Sequence, residues 1–92
     1  MVSNIEKNII LKQAEKYGVS DIYLFGSSAE INSDYHDIDL GVKGLRPGLF
    51  FKFYADLFKS LSKPVDLIDM SKKSLFTLLI EKEGIKIYGK PA

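Results

Sequence analysis

Asp37-Ile38-Asp39-Leu40-Gly41-Val42-Lys43 alternates without a break. Ile38, Leu40 and Val42 fall on one side of an extended chain, and Asp37, Asp39, Gly41 and Lys43 on the other. The pattern predicts a strand over Asp37 to Lys43 with one apolar face turned to a core. Both carboxylates then share the opposite face, with Cα atoms roughly 6.5–7 Å apart by strand rise. At that spacing two carboxylates can converge on one or two hard cations such as Mg²⁺. Without a cation they repel, and one pKa rises.

Upstream, Asp21 to Phe25 reads as a short strand that Gly26 closes, and Gly26 to His36 is a loop with a short helical turn starting near Ser27. In Gly26-Ser27 the glycine lets phosphate oxygens approach the backbone, while the serine offers a hydroxyl and an N–H. A helix start there would add freed N–H groups that favour an anion. A phosphate cradle next to a carboxylate pair is the combination that nucleotidyl transfer needs. Before the strand, a helix from about Ser3 to Tyr17 carries Ile5, Ile9, Ile10 and Ala14 on one stripe. Ser3 or Asn4 caps it, and Gly18 stops it.

Downstream, Gly44 to Gly48 is a turn, with Pro47 placed to open a helix that runs to about Leu61. Phe50, Phe53, Tyr54, Leu57 and Leu61 form one apolar stripe of that helix. Phe51, Ala55 and Phe58 form a second, which is either the buried side of a deeply set core helix or, since a domain this small can hardly bury it, a subunit contact, and the contact is the expectation. Pro64 to Asp69 is a third strand. Asp69 or Ser71 caps a final helix to about Lys82, Gly84 ends it, and Ile85 to Tyr88 adds a last strand. Asp66 on the third strand is the candidate to complete a carboxylate triad with Asp37 and Asp39, with Asp69 as its competitor. Helices alternating with strands imply an α/β or α+β sheet. Lys43 shares the parity of the aspartates and can pair with them or touch a phosphate. His36, the one histidine, is a loop residue or a metal ligand, and Lys72-Lys73 is a solvated helix start.

The composition removes several function classes. A chain of 92 residues supports one domain, residues 1–92, with a thin core. Zero cysteines exclude disulfides and thiolate metal sites. A net charge of +1 gives no strong pull toward nucleic acid or membrane. No apolar run is long enough to span a bilayer, and the first residues do not read as a signal peptide, so the expected location is cytoplasmic.

Gly26-Ser27-Ser28-Ala29, then Asp37-Ile38-Asp39-Leu40, then Val65-Asp66-Leu67-Ile68, together resemble the minimal nucleotidyltransferase (MNT) family of the polymerase-beta-like superfamily. The resemblance covers nearly the whole chain. It implies an α+β core with a mixed sheet of about four strands flanked by helices, and Asp37, Asp39 and Asp66 on adjacent strands. It further implies that Gly26, Ser27 and Ser28 bind the triphosphate of ATP. Asp37, Asp39 and Asp66 would be both the catalytic residues and the ligands of two Mg²⁺ ions. The implied partner is a HEPN-type toxin, modified by transfer of AMP to a tyrosine; a homodimer is the other assembly considered. The family turn usually reads Gly-Ser-x-Ala-Arg-Gly, whereas Glu30 and Ile31 stand here in the last two places, and His36 replaces the usual serine before Asp37. The negative charge of Glu30 opposes ATP. An antitoxin that acts by binding alone, with a weakened site, is therefore the alternative. Transfer to a small molecule or an RNA end would need a second domain to hold the acceptor.

Overall fold

Ile22 and Leu24, then Ile38, Leu40 and Val42, then Val65 and Leu67 occupy alternate positions of three extended segments, and all are buried. That period builds one sheet with a shared apolar face. The computed structural model describes residues 1–90. Among these, α1 spans Asn4–Tyr17, β1 Asp21–Phe25, β2 Ile38–Lys43, α2 Phe50–Ser60, β3 Val65–Asp69, α3 Leu75–Glu83 and β4 Ile85–Tyr88. Single 3-10 turns occupy Gly26–Ala29 and Pro47–Leu49. The sheet is mixed, in the order β3-β2-β1-β4. β1 runs antiparallel to β2 and β4, and β2 runs parallel to β3 across the α2 connection.

The helices α1 and α2 cover the apolar face through Ile10, Ala14, Phe53 and Leu57, all fully buried. The Tyr17 ring meets Phe53 edge-on at 5.1 Å. The first apolar stripe of α2 is therefore core. The second is not: Phe51 is 82% exposed and Phe58 56%.

On the opposite face α3 crosses the middle of the sheet, where Tyr23, Met70 and Ile80 form a second, smaller cluster. Gly41 sits beneath it: a Cβ there would lie 3.2 Å from Ile80 Cγ2 and would collide with Met70 Sδ. The crossing leaves the strand ends that carry Asp39 and Asp66 uncovered, with Asp66 exposed and Asp39 half-buried.

Three boundaries differ from the sequence reading. The strand begins at Ile38, whose N–H donates to the Pro64 carbonyl at 2.8 Å and opens the β2–β3 ladder, so Asp37 lies just outside it. Pro47 heads a separate 3-10 turn, and α2 starts at Phe50. The last helix starts at Leu75 and is capped by Ser74, not by Asp69 or Ser71. The Met70 N–H first returns to the Val42 carbonyl at 2.9 Å, which keeps the chain on the sheet through Asp69, and a turn at Met70 and Ser71 follows before the helix can start. Asp69 instead accepts the Ser71 N–H at 2.9 Å. Ser74 and Thr77 form a reciprocal box: Thr77 N–H donates to Ser74 Oγ at 3.1 Å, and Ser74 N–H to Thr77 Oγ1 at 2.9 Å. Ser74→Ala is expected to lower the unfolding free energy by about 1 kcal/mol in a urea titration, whereas Ser71→Ala leaves it unchanged. Among the described residues no helix is long and apolar enough to cross a membrane.

Candidate active site

The parallel register sets Asp39 opposite Asp66, as it sets Leu40 opposite Leu67 on the core face. Adjacent strands lie about 4.8 Å apart, so two carboxylates on the same face of neighbouring strands stand side by side. Burial pushes the Asp39 carboxyl above the ordinary aspartate range, and the neighbouring Asp66 and Asp37 carboxylates push it further. Asp37 is exposed at the entrance to β2. Asp69 faces Val42 in the register, on the other side of the sheet, and so does not compete with Asp66.

The Gly26 turn touches this group. Phe25, the last residue of β1, pairs with Asp39. Gly26 follows at φ +64°, and a Cβ on it would lie 3.3 Å from Asp39 Cγ and would collide with Asp39 Oδ2. The turn is one four-residue 3-10 segment at Gly26–Ala29, the short helical turn expected near Ser27, and it is too short to build a helix macrodipole. What it presents is exposed backbone at Gly26 and Ser27, next to a carboxylate.

The loop leading to Asp37 is tethered at Tyr35, whose hydroxyl donates to Glu6 Oε1, with Lys63 Nζ 3.5 Å from the centre of its ring. Glu6 also caps α1 from within, accepting the Ser3 N–H at 2.8 Å. The approach to Asp37 is thus anchored to α1 and to the chain just before β3.

Some assignments made from sequence move. The Ser28 hydroxyl is not available to a phosphate: the residue is fully buried, and its Oγ donates to the Phe25 carbonyl at 2.9 Å and accepts the Asp39 N–H at 3.1 Å. Lys43 has the right parity but sits at the far end of β2, where its ammonium pairs with Glu81 and lies 5.7 Å from the centre of the Tyr23 ring. His36 is exposed. A feature not foreseen is a groove of about 400 Å³ beside Gly26, lined by Phe25, Glu30, Phe76 and Leu79 among others. Its outer wall belongs to a helix whose Leu75, Leu78 and Leu79 are all exposed. The i, i+3, i+4 spacing of those leucines was the available signal.

Among the described residues no three His, Cys, Asp or Glu side chains are gathered into a metal cage. Mg²⁺ does not need one, since it is commonly held by one or two carboxylates together with substrate phosphates and water. Asp39, partly desolvated beside two further carboxylates, is a donor set whose mutual repulsion a divalent cation relieves, so the residues fit that ion.

Known structures share this arrangement of elements. A complex of tri-AMPylated Shewanella oneidensis HEPN toxin with MNT antitoxin matches at 26% identity and TM-score 0.71, over 92% of this chain and 71% of that chain. A toxin–antitoxin structure with AMP-PNP matches at 25% identity and TM-score 0.75, over 91% and 73%. The toxin–antitoxin MntA–HepT gives 23% identity and TM-score 0.72, over 96% and 74%, which speaks to the fold alone. No curated protein matches the sequence. The family model described as Polymerase beta, Nucleotidyltransferase matches residues 7–92, a span that contains the Gly26 turn and all three aspartates, and the chain belongs to that family.

Proposed function

We propose that the chain, as one nucleotidyltransferase domain over residues 1–92, transfers AMP from ATP to a tyrosine hydroxyl of a HEPN-type toxin in the cytoplasm, and so acts as its antitoxin. The observation that carries this reading is the placement of Asp39 beside Asp66 and against the exposed Gly26 turn. The likeness to complexes that contain AMP-PNP and an AMPylated HEPN toxin supports the choice of nucleotide and acceptor. In the reaction the tyrosine oxygen forms a bond to the α-phosphorus, the bond from that phosphorus to the bridging oxygen breaks, and pyrophosphate leaves. Gly26 and Ser27 hold the triphosphate through the turn. Asp37, Asp39 and Asp66 would hold Mg²⁺, two ions in the fullest form, which would neutralise phosphate charge and lower the pKa of the attacking hydroxyl. Asp66, the exposed acid on the edge strand, would either ligate that ion or accept the hydroxyl proton. Incubation of the chain with ATP, Mg²⁺ and its HEPN-type partner should give an AMP adduct on a partner tyrosine by mass analysis. Neutralised toxin without any adduct would overturn transfer in favour of inhibition by binding.

Glu30 favours that second reading, since it stands where the family usually has arginine and borders the groove next to the turn. If its charge opposes ATP, Glu30→Arg tightens Mg²⁺–ATP by about 1 kcal/mol, roughly fivefold or more, in calorimetry. Unchanged affinity would mean that Glu30 stays clear of the phosphates.

The exposed Phe51 and Phe58 supply the contact with the partner or with a second copy. Replacing both by serine is expected to leave the circular dichroism of the chain unchanged and to abolish the complex in light scattering, because neither ring contributes to the core.

A further inference from the structure

Ser28 is an anomaly in its turn. Its neighbours Gly26 and Ser27 are exposed, yet Ser28 is 0% exposed and every polar contact of its side chain is internal. Its hydroxyl donates to the carbonyl of Phe25 at 2.9 Å, where β1 ends, and accepts the N–H of Asp39 at 3.1 Å. Its own carbonyl accepts the Val2 N–H at 3.0 Å. One residue therefore ties together the end of β1, the backbone under the Asp39 carboxylate and the lead-in to α1.

We propose that Ser28 is a positioning residue, whose hydroxyl fixes the separation between the triphosphate turn and the Asp39 carboxylate. The proposal rests on the nucleotidyltransferase reading given above. Gly26 already lies in contact with Asp39, so the two groups have no slack between them. Beyond the Phe25–Asp39 ladder pair, the Ser28 Oγ is the side-chain bridge from the turn to the main chain of Asp39 among the described residues. Removal of that oxygen leaves the Asp39 N–H and the Phe25 carbonyl without this partner, and the two segments shift to find water or one another. A displacement of about 1 Å between a phosphate site and a metal-binding carboxylate is enough to lower a transfer rate about 10²-fold.

Four variants and two readouts test this. In Ser28→Ala, hydrogen exchange at the Asp39 amide should accelerate at least tenfold, while the Leu24 and Leu40 amides keep their protection. AMP transfer by the same variant should fall about 10²-fold in kcat with KM for ATP changed less than threefold. Ser27→Ala, on a residue that faces the phosphates, should instead raise KM. Ser28→Thr keeps the hydroxyl and should retain more than a tenth of the wild-type kcat. If Ser28→Ala does not fold, Ser28→Cys, which fills the site with a slightly larger thiol that is a poor hydrogen-bonding group, is read the same way. Unchanged Asp39 exchange, or a rise in KM with kcat intact, would overturn the positioning role. Faster Asp39 exchange in a protein whose wild type transfers no nucleotide would uphold the tie and overturn the nucleotidyltransferase reading instead.

Discussion

Asp39→Asn should abolish AMP transfer, by at least 10³-fold or about 4 kcal/mol of transition-state stabilisation, while making the metal-free fold more resistant to heat. Both effects come from one fact. Asp39 is a carboxylate kept where burial and two neighbouring carboxylates disfavour its charge. Its folded-state pKa is raised, so between the unfolded and folded values the native state holds more protons than the unfolded one. Stability is therefore lost as pH rises through the folded value and regained on acidification. At neutral pH without metal the charged Asp39 is a standing cost that asparagine removes, since asparagine has the same shape and no charge. Thermal unfolding in EDTA should show the variant above the wild type at pH 7, with the gap closing on acidification. Mg²⁺ should then raise the wild type more than the variant. Equal melting curves in EDTA would mean that solvent screens the three carboxylates from one another, and the argument for a cation site would lose its electrostatic basis.

The parts of this arrangement that a sequence can carry are those with a period. Ile38, Leu40 and Val42 announce a half-buried strand, and the parity rule places Asp39 opposite them. The pairing of Asp39 with Asp66 is of another kind. It depends on β3 lying parallel to β2, and on the length of the α2 connection bringing it into that register. Sequence can nominate Asp66 but cannot measure its separation from Asp39. Asp69 shares the parity of buried Val65 and Leu67, so it falls on the other face, where the register sets it opposite Val42; Lys43 shares the parity of Asp39, but strand rise carries it to the far end of β2. Ser28 was unreadable for a different reason. A serine after Gly-Ser has the same identity whether its hydroxyl meets a phosphate or an internal amide, and its partner is eleven residues away. The cap of α3 failed by competition: Asp69, Ser71 and Ser74 are all good caps, and the return of Met70 to the sheet selects the last.

Gly26→Ala should fold, lose about 1–2 kcal/mol of stability, and lose AMP transfer about 10²-fold. The backbone at Gly26 is left-handed, at φ +64°, which accounts for the stability cost of any side chain there. The loss of activity has a separate origin. The new methyl would collide with Asp39 Oδ2 and would come within 3.3 Å of its Cγ. A carboxylate is the free end of a side chain and can swing away with little damage to the core. What it cannot do is swing away and keep its place beside Asp66. Two other glycines separate the causes. Gly18, at φ +66°, has no atom within 4 Å of its added Cβ, so Gly18→Ala should cost comparable stability and no activity. Gly48 has neither the left-handed backbone nor a neighbour within 4 Å, and Gly48→Ala should be silent in both measurements. If Gly18→Ala lowers transfer as far as Gly26→Ala does, the loss tracks general destabilisation. If only Gly26→Ala does so, the contact between the turn and Asp39 is the mechanical link on which the chemistry depends.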